Sequence, residues 1–234
     1  MKLKKVLWLV TVFFFATINN PSGGFLAMPV TGMELFETRD EEYLTDFQIL
    51  QEKIDTHQYL AGLFVPNLFA FPVISQPGNN PAYVSPQPDV VTYFSLAEQH
   101  GSIGLLAHNT LAGKNFFLLT AGNILGFYKD ESIQWYQVEK IYRFQALEPN
   151  SPTSKFRDLD HPERVLSASA LFQKIYAQPG KLILQTCIAS GQTDSWGRLF
   201  IIASPVSASD RLIFSLPDYS ANPLNLLEKT ILAR

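Results

Sequence analysis

From Leu60 to Ala203 the chain alternates short apolar runs with turn-forming residues, a pattern that few architectures other than a closed sheet can bury. Strands are predicted over Leu60–Val65, Ala70–Ser75, Val90–Phe94, Ile103–His108, Phe116–Leu119, Ile124–Tyr128 and a longer run from Ser132 to Phe144. Two strongly apolar runs follow, Lys181–Thr186 and Arg198–Ala203, separated by a polar stretch predicted as a ten-residue loop from Ile188 to Gly197. Six prolines from Pro66 to Pro88 make that stretch loop-rich and argue against central strands there. The expected fold is mostly β, a closed β-barrel with short helices. An aromatic complement of 18 Phe and 9 Tyr suits such an interior.

Two helices are expected outside the strands. Residues 41–57 carry Leu44, Phe47, Leu50 and Ile54 near helical spacing, with Asp40 as the N-cap. Residues 160–177 place Pro162 in a first turn and end at Pro179-Gly180, with Val165, Ser169, Phe172 and Tyr176 roughly on one face. The first 27 residues read as a signal peptide or membrane anchor. Lys2, Lys4 and Lys5 precede an apolar run from Val6 to Ile18, which is shorter than the roughly 20 residues a spanning helix needs. Residues 28–58 then form a linker and the N-terminal helix, and 59–234 the main β-rich domain. A formal charge of −3, from 18 basic and 21 acidic residues without a basic run, gives no footprint for nucleic acid.

The chain has one cysteine, Cys187, behind an export-like N-terminus, so no intramolecular disulfide can use it. It sits where the run Leu182–Thr186 ends, and Arg198 opens the next strand. If the two strands pair antiparallel, thiol and guanidinium share one end of the sheet. A nearby cation favours a thiolate, and an arginine can also donate to an oxyanion developing on a substrate carbonyl. His108 ends another β run before the turn-prone Asn109, which places an imidazole at the barrel rim. Histidine and thiol are the proton-transfer group and nucleophile of acyl transfer.

Taken together, Leu106-Ala107-His108-Asn109, the run Leu184 to Cys187 and Arg198-Leu-Phe-Ile-Ile resemble the sortases. The segments Phe117 to Ile124 and Tyr136 to Ile141 are also similar to barrel segments of that family, and the resemblance covers about Leu60 to Ala203. It implies a thioacyl-enzyme on Cys187, His108 as general acid and base, and Arg198 as carbonyl or oxyanion stabiliser. It further implies a sorting-signal peptide of exported proteins as acyl donor and an amine acceptor at the cell surface or a pilin-type lysine, outside the cytoplasm and without a cofactor. The sequence departs from the family pattern at Ile183, where the family has Thr, and in the long connection from Leu147 to Gly180.

Other chemistries fail on spacing. One cysteine and four scattered histidines supply no zinc-ligand pattern. Ala112-Gly113-Lys114 lacks the earlier glycine of a phosphate loop, and Asn115 replaces its Ser/Thr. No GxSxG elbow occurs. His57, His100 and His161 each sit at a helix end or a turn. The residues themselves also allow a thiol hydrolase or acyltransferase on another substrate, and a non-enzymatic exported β-domain.

Overall fold

The computed structural model describes residues 47–54, 56 and 59–207. The signal or anchor segment 1–27, the Asp40 cap, Leu44, His57 and the C-terminal residues lie outside the described residues. In chain order the elements are α1 (47–54), β1 (Ala61–Val65), β2 (Phe69–Ser75), β3 (Val91–Tyr93), α2 (Ser95–Glu98) and β4 (Ile103–Leu106). They continue with β5 (Ile124–Lys129), β6 (Ser132–Ala146), β7 (Phe156–Asp158), β8 (Val165–Leu166), α3 (Ala168–Tyr176), β9 (Leu182–Ser190) and β10 (Thr193–Pro205).

The strands follow the order β10-β9-β4-β3-β2-β1-β5-β6, and an added β10–β6 pairing closes them into a ring, with β7 and β8 appended to β6. Closure removes the open edges that such a sheet would otherwise expose. Strand alternation explains how the sequence fills it. Ala61, Leu63 and Val65 of β1, Leu125 and Phe127 of β5, Leu182 and Leu184 of β9, and Leu199 and Ile201 of β10 point into one interior cluster. The opposite parity points outward onto two helices. Phe64, Tyr128, Ile133 and Trp135 pack with Phe47 and Leu50 of α1. Leu106, Ile183, Phe200, Ile202 and Phe144 pack with Leu171, Ile175 and Tyr176 of α3.

Several expectations change in the structure. Phe116–Leu119 is not a strand. Ala112–Leu118 forms a 3₁₀ helix that buries Ala112 and Phe116 while Phe117 and Leu118 face solvent. A four-residue apolar run carries no periodicity able to separate these states. Pro72 lies inside β2, a central strand of the ring, opposite Gly62. The Val73 carbonyl accepts from Leu60 N on the β1 side, so the missing Pro72 donor faces β3, just before the β2–β3 ladder begins at Val73. The helix expected from residue 160 begins at Ala168, where the Ser167 hydroxyl accepts from Ala170 N. Pro162 instead belongs to the turn between β7 and β8. The expected 188–197 loop is absent as well: β9 and β10 run on to a two-residue turn, with Gly191 at φ 58°, a left-handed conformation that glycine takes without strain.

Candidate active site

Outward-facing residues of β9 are Ile183, Gln185 and Cys187, and those of β10 are Ile202, Phe200 and Arg198, from the alternation that sends Leu182, Leu184, Leu199 and Ile201 inside. The antiparallel register makes Arg198 the direct partner of Cys187. Directly opposed residues present their side chains on the same face, with Cα atoms roughly 4.5–5.5 Å apart. Cys187 is therefore within a strand, not at its end, and Arg198 is the sixth residue of β10, not its first.

β4 runs parallel to β9, pairing Leu105 with Leu184 and Leu106 with Gln185, and Ala107 N donates to Gln185 O at 3.1 Å. β4 ends at Leu106, so His108 lies two residues past its ladder; extrapolating the register and the alternation of Leu106 and Ala107 would set it level with Cys187 on the outer face. At this level β10 is still paired with both β9 and β6, through Arg198 with Cys187 and Phe144. His108 is exposed, while Cys187 and Arg198 are half-buried. Among the described residues, no hydrogen bond joins the three side chains to one another.

The backbone around each residue is held. The His108 carbonyl accepts from Leu111 N and Gly113 N, both at 3.0 Å. A Cβ on Gly113 would lie 2.3 Å from the Thr186 hydroxyl and 2.7 Å from the His108 carbonyl, so only glycine allows the 3₁₀ helix to sit this close. Thr186, 2% exposed, donates to Ala107 O at 2.8 Å and ties the residue after β4 to β9. On the other side, Arg198 Nη1 donates to the carbonyls of Ser195 and Gly197 at 2.9 and 2.8 Å. These carbonyls belong to an irregular stretch where β10 carries extra residues between Thr193 and Gly197. Asn109 Nδ2 donates to Asp194 O at 3.0 Å, so the residue after His108 is linked to that same stretch.

One row further along the same face lies Gln185, flanked by Leu106 and Phe200. The buried hydroxyl of Tyr176, the last residue of α3, donates to Gln185 Oε1. Burial pushes that hydroxyl well above the ordinary tyrosine range and keeps it a donor. The sequence reading did not single out Gln185; the available signal was an amide alternating with Ile183 and Cys187 on one face.

The rival histidines sit elsewhere. His100 packs its ring against Phe172 at 5.1 Å, and His161 approaches Glu163 at 3.9 Å in the β7–β8 turn. Among the described residues, no group of three or more His, Cys, Asp or Glu is arranged to hold a metal ion.

No protein-family model and no curated protein matches the sequence. In fold, the chain is similar to solved sortase structures. Sortase C-1 from Actinomyces oris aligns at TM-score 0.43 and 14% identity over 69% of this chain and 82% of that one. Sortase E1 from Streptomyces coelicolor, solved with a tripeptide in its active site, aligns at 0.41 and 16% over 64% and 88%. Sortase C1 from Streptococcus suis aligns at 0.44 and 14% over 78% and 90%.

Proposed function

We propose that this chain is an extracytoplasmic cysteine transpeptidase of the sortase type, acting on a sorting-signal peptide and an amine acceptor. What supports the reading is the direct pairing of Cys187 with Arg198 on an outward face, together with the β4–β9 register, which extrapolated two residues past Leu106 aims His108 at the same row. The residue types in that row match those of acyl transfer through a thioester.

In this reaction the Cys187 thiolate attacks the scissile carbonyl carbon, and the His108 imidazolium gives its proton to the departing amine as the C–N bond breaks. A thioacyl-enzyme remains. The acceptor amine then attacks the thioester, passes a proton to His108, and the C–S bond breaks to return the thiolate. Arg198 Nη1 is engaged by two carbonyls, so Nε and Nη2 are the donors assigned to the substrate carbonyl as it becomes an oxyanion. Residues 1–27, as a signal peptide or membrane anchor, deliver the domain beyond the cytoplasm. Among the described residues, no helix is long and apolar enough to cross a membrane.

The test is a screen of candidate sorting peptides with and without an added amine, read by mass spectrometry for the cleaved acyl product and its amide. Amide formation by the wild type and none by Cys187→Ala is the expected result. Transfer that persists in Cys187→Ala would exclude this mechanism.

A further inference from the structure

We propose that Gln185 is a substrate-recognition residue of the same site, donating its carboxamide N–H to the backbone carbonyl of the acyl-donor peptide two residues before the one that the sulfur attacks. This rests on the acyl-transfer reading of Cys187. Gln185 and Cys187 are two residues apart on one strand and face the same way, which separates their Cα atoms by about 6.5–7 Å. That separation is the repeat of an extended peptide lying beside β9.

Tyr176 accounts for only one end of the amide. The row neighbours Leu106 and Phe200 are 6% and 3% exposed, so Gln185 is a half-buried polar residue between two buried apolar ones. The Tyr176 hydroxyl engages Oε1, and this contact decides which end of the amide is left over. With the carbonyl end held by a donor anchored at the end of α3, the two N–H bonds of Nε2 are the end not consumed. Among the described residues, Nε2 has no acceptor. α3 covers the Ile183 and Ile202 row, and its last residue reaches only as far as Gln185. Gln185 is therefore the border residue between the covered face and the open row of His108, Cys187 and Arg198. A neutral donor there complements Arg198, one of whose terminal nitrogens is already committed to main-chain carbonyls. Tyr176 acts through Gln185 and is a positioning residue.

Two thiol reagents separate this role from packing. A peptidyl chloromethyl ketone presents peptide carbonyls while the thiolate displaces chloride; dithiodipyridine reacts by disulfide exchange and has no carbonyl. Second-order rates with both are measured for the full chain and for Gln185→Glu and Gln185→Met. Gln185→Glu keeps the acceptor for Tyr176 and guards against loss of folding in the other variant. The ratio of ketone to disulfide rate should fall about fivefold to tenfold in both variants, the size expected for one lost hydrogen bond to a carbonyl. Tyr176→Phe, which frees the amide to rotate, should lower the same ratio by less. A wild-type thiol that reacts with both reagents and a ratio unchanged in both Gln185 variants would overturn the inference alone. A wild-type Cys187 inert to both reagents would overturn the acyl-transfer reading and this inference with it.

Discussion

Each side of the barrel carries a helix on its outer face, yet only one side leaves the strand positions of Cys187 and Arg198 uncovered. On the α1 side, Phe47 meets Phe64 and Tyr128 edge to face at 5.9 and 5.6 Å, and Trp135 and Ile133 complete an aromatic seal. On the α3 side, Tyr176 meets Phe94 and Phe200 at 5.2 and 6.3 Å, but the nine-residue helix ends one row short of Cys187. Both contacts depend on a glycine in the strand beneath. Gly62 makes room for Leu50 and Ile54, and Gly104 for Ala97, Phe94 and Tyr176. The same device, a helix over a glycine-bearing strand, serves stability on one side and frames a site on the other. What differs is where the cover stops.

The contrast breaks most sharply at the row itself. His108→Ala and Arg198→Ala should each lower amine transfer by about 10²–10⁴-fold, as removal of a proton-transfer group or an oxyanion donor does, while thermal midpoints stay close to wild type. Steady-state rates together with calorimetry check this; a full-activity variant at either position removes that residue from the mechanism. The opposite pattern is expected across the barrel. Phe47, 2% exposed, should cost about 3–5 kcal/mol when changed to alanine, with transfer intact below the lowered midpoint. Chemical denaturation measures the loss, and a change in transfer rate larger than twofold would show that the two faces are coupled.

The glycines sharpen the comparison further. A Cβ at Gly104 would lie 2.6 Å from Ala97 Cβ, which cannot move without its backbone, whereas one at Gly62 would lie 2.7 Å from Ile54 Cδ1 at the end of a flexible side chain. Gly104→Ala should therefore destabilise by about 1–3 kcal/mol and Gly62→Ala by less. Equal losses in urea titrations would show that α1 has no more freedom to adjust than α2.

The smallest effect concerns acid. The hydrogen bond from Lys181, aided by Ser204 and Lys140, pulls the Glu139 carboxyl down from 4.5 to about 2. A lowered carboxyl stabilises the fold fully above its unfolded value and loses that contribution as pH falls through its folded one. Because the side chain is 40% exposed, the contribution is at most about 1 kcal/mol. The midpoint difference between wild type and Glu139→Gln should shrink as pH drops from 5 toward 2. A difference that is constant over this range would rule out ionisation as its source.

The ring strands were legible because their alternation is strict and their partners are buried. The run from Ser132, for example, reads as a strand through Ile133, Trp135 and Phe144 despite its exposed positions. The polar end of the β9–β10 ribbon was not legible, since a ribbon projecting past the barrel has no core to bury and no apolar signal to show. The antiparallel placement of Cys187 beside Arg198 was legible from the two apolar runs, but the continuation of both strands beyond that pair was hidden behind an expected loop. Gln185 was hidden differently. Its place depends on Tyr176, and nothing local in the sequence shows how far a helix reaches over a strand.

The β10–β6 pairing has a consequence beyond hiding a sheet edge. Because β10 is gripped on both flanks, it cannot slide by one residue against β9 without also breaking its alignment with β6 along nine paired positions from Gly197 to Pro205. Such a slip would turn Arg198 toward the barrel axis. The thiol and the guanidinium therefore face the same side because a second seam, in which Arg198 itself stands opposite Phe144, holds β10 in phase, and a slip anywhere along that seam would part the guanidinium from the thiol.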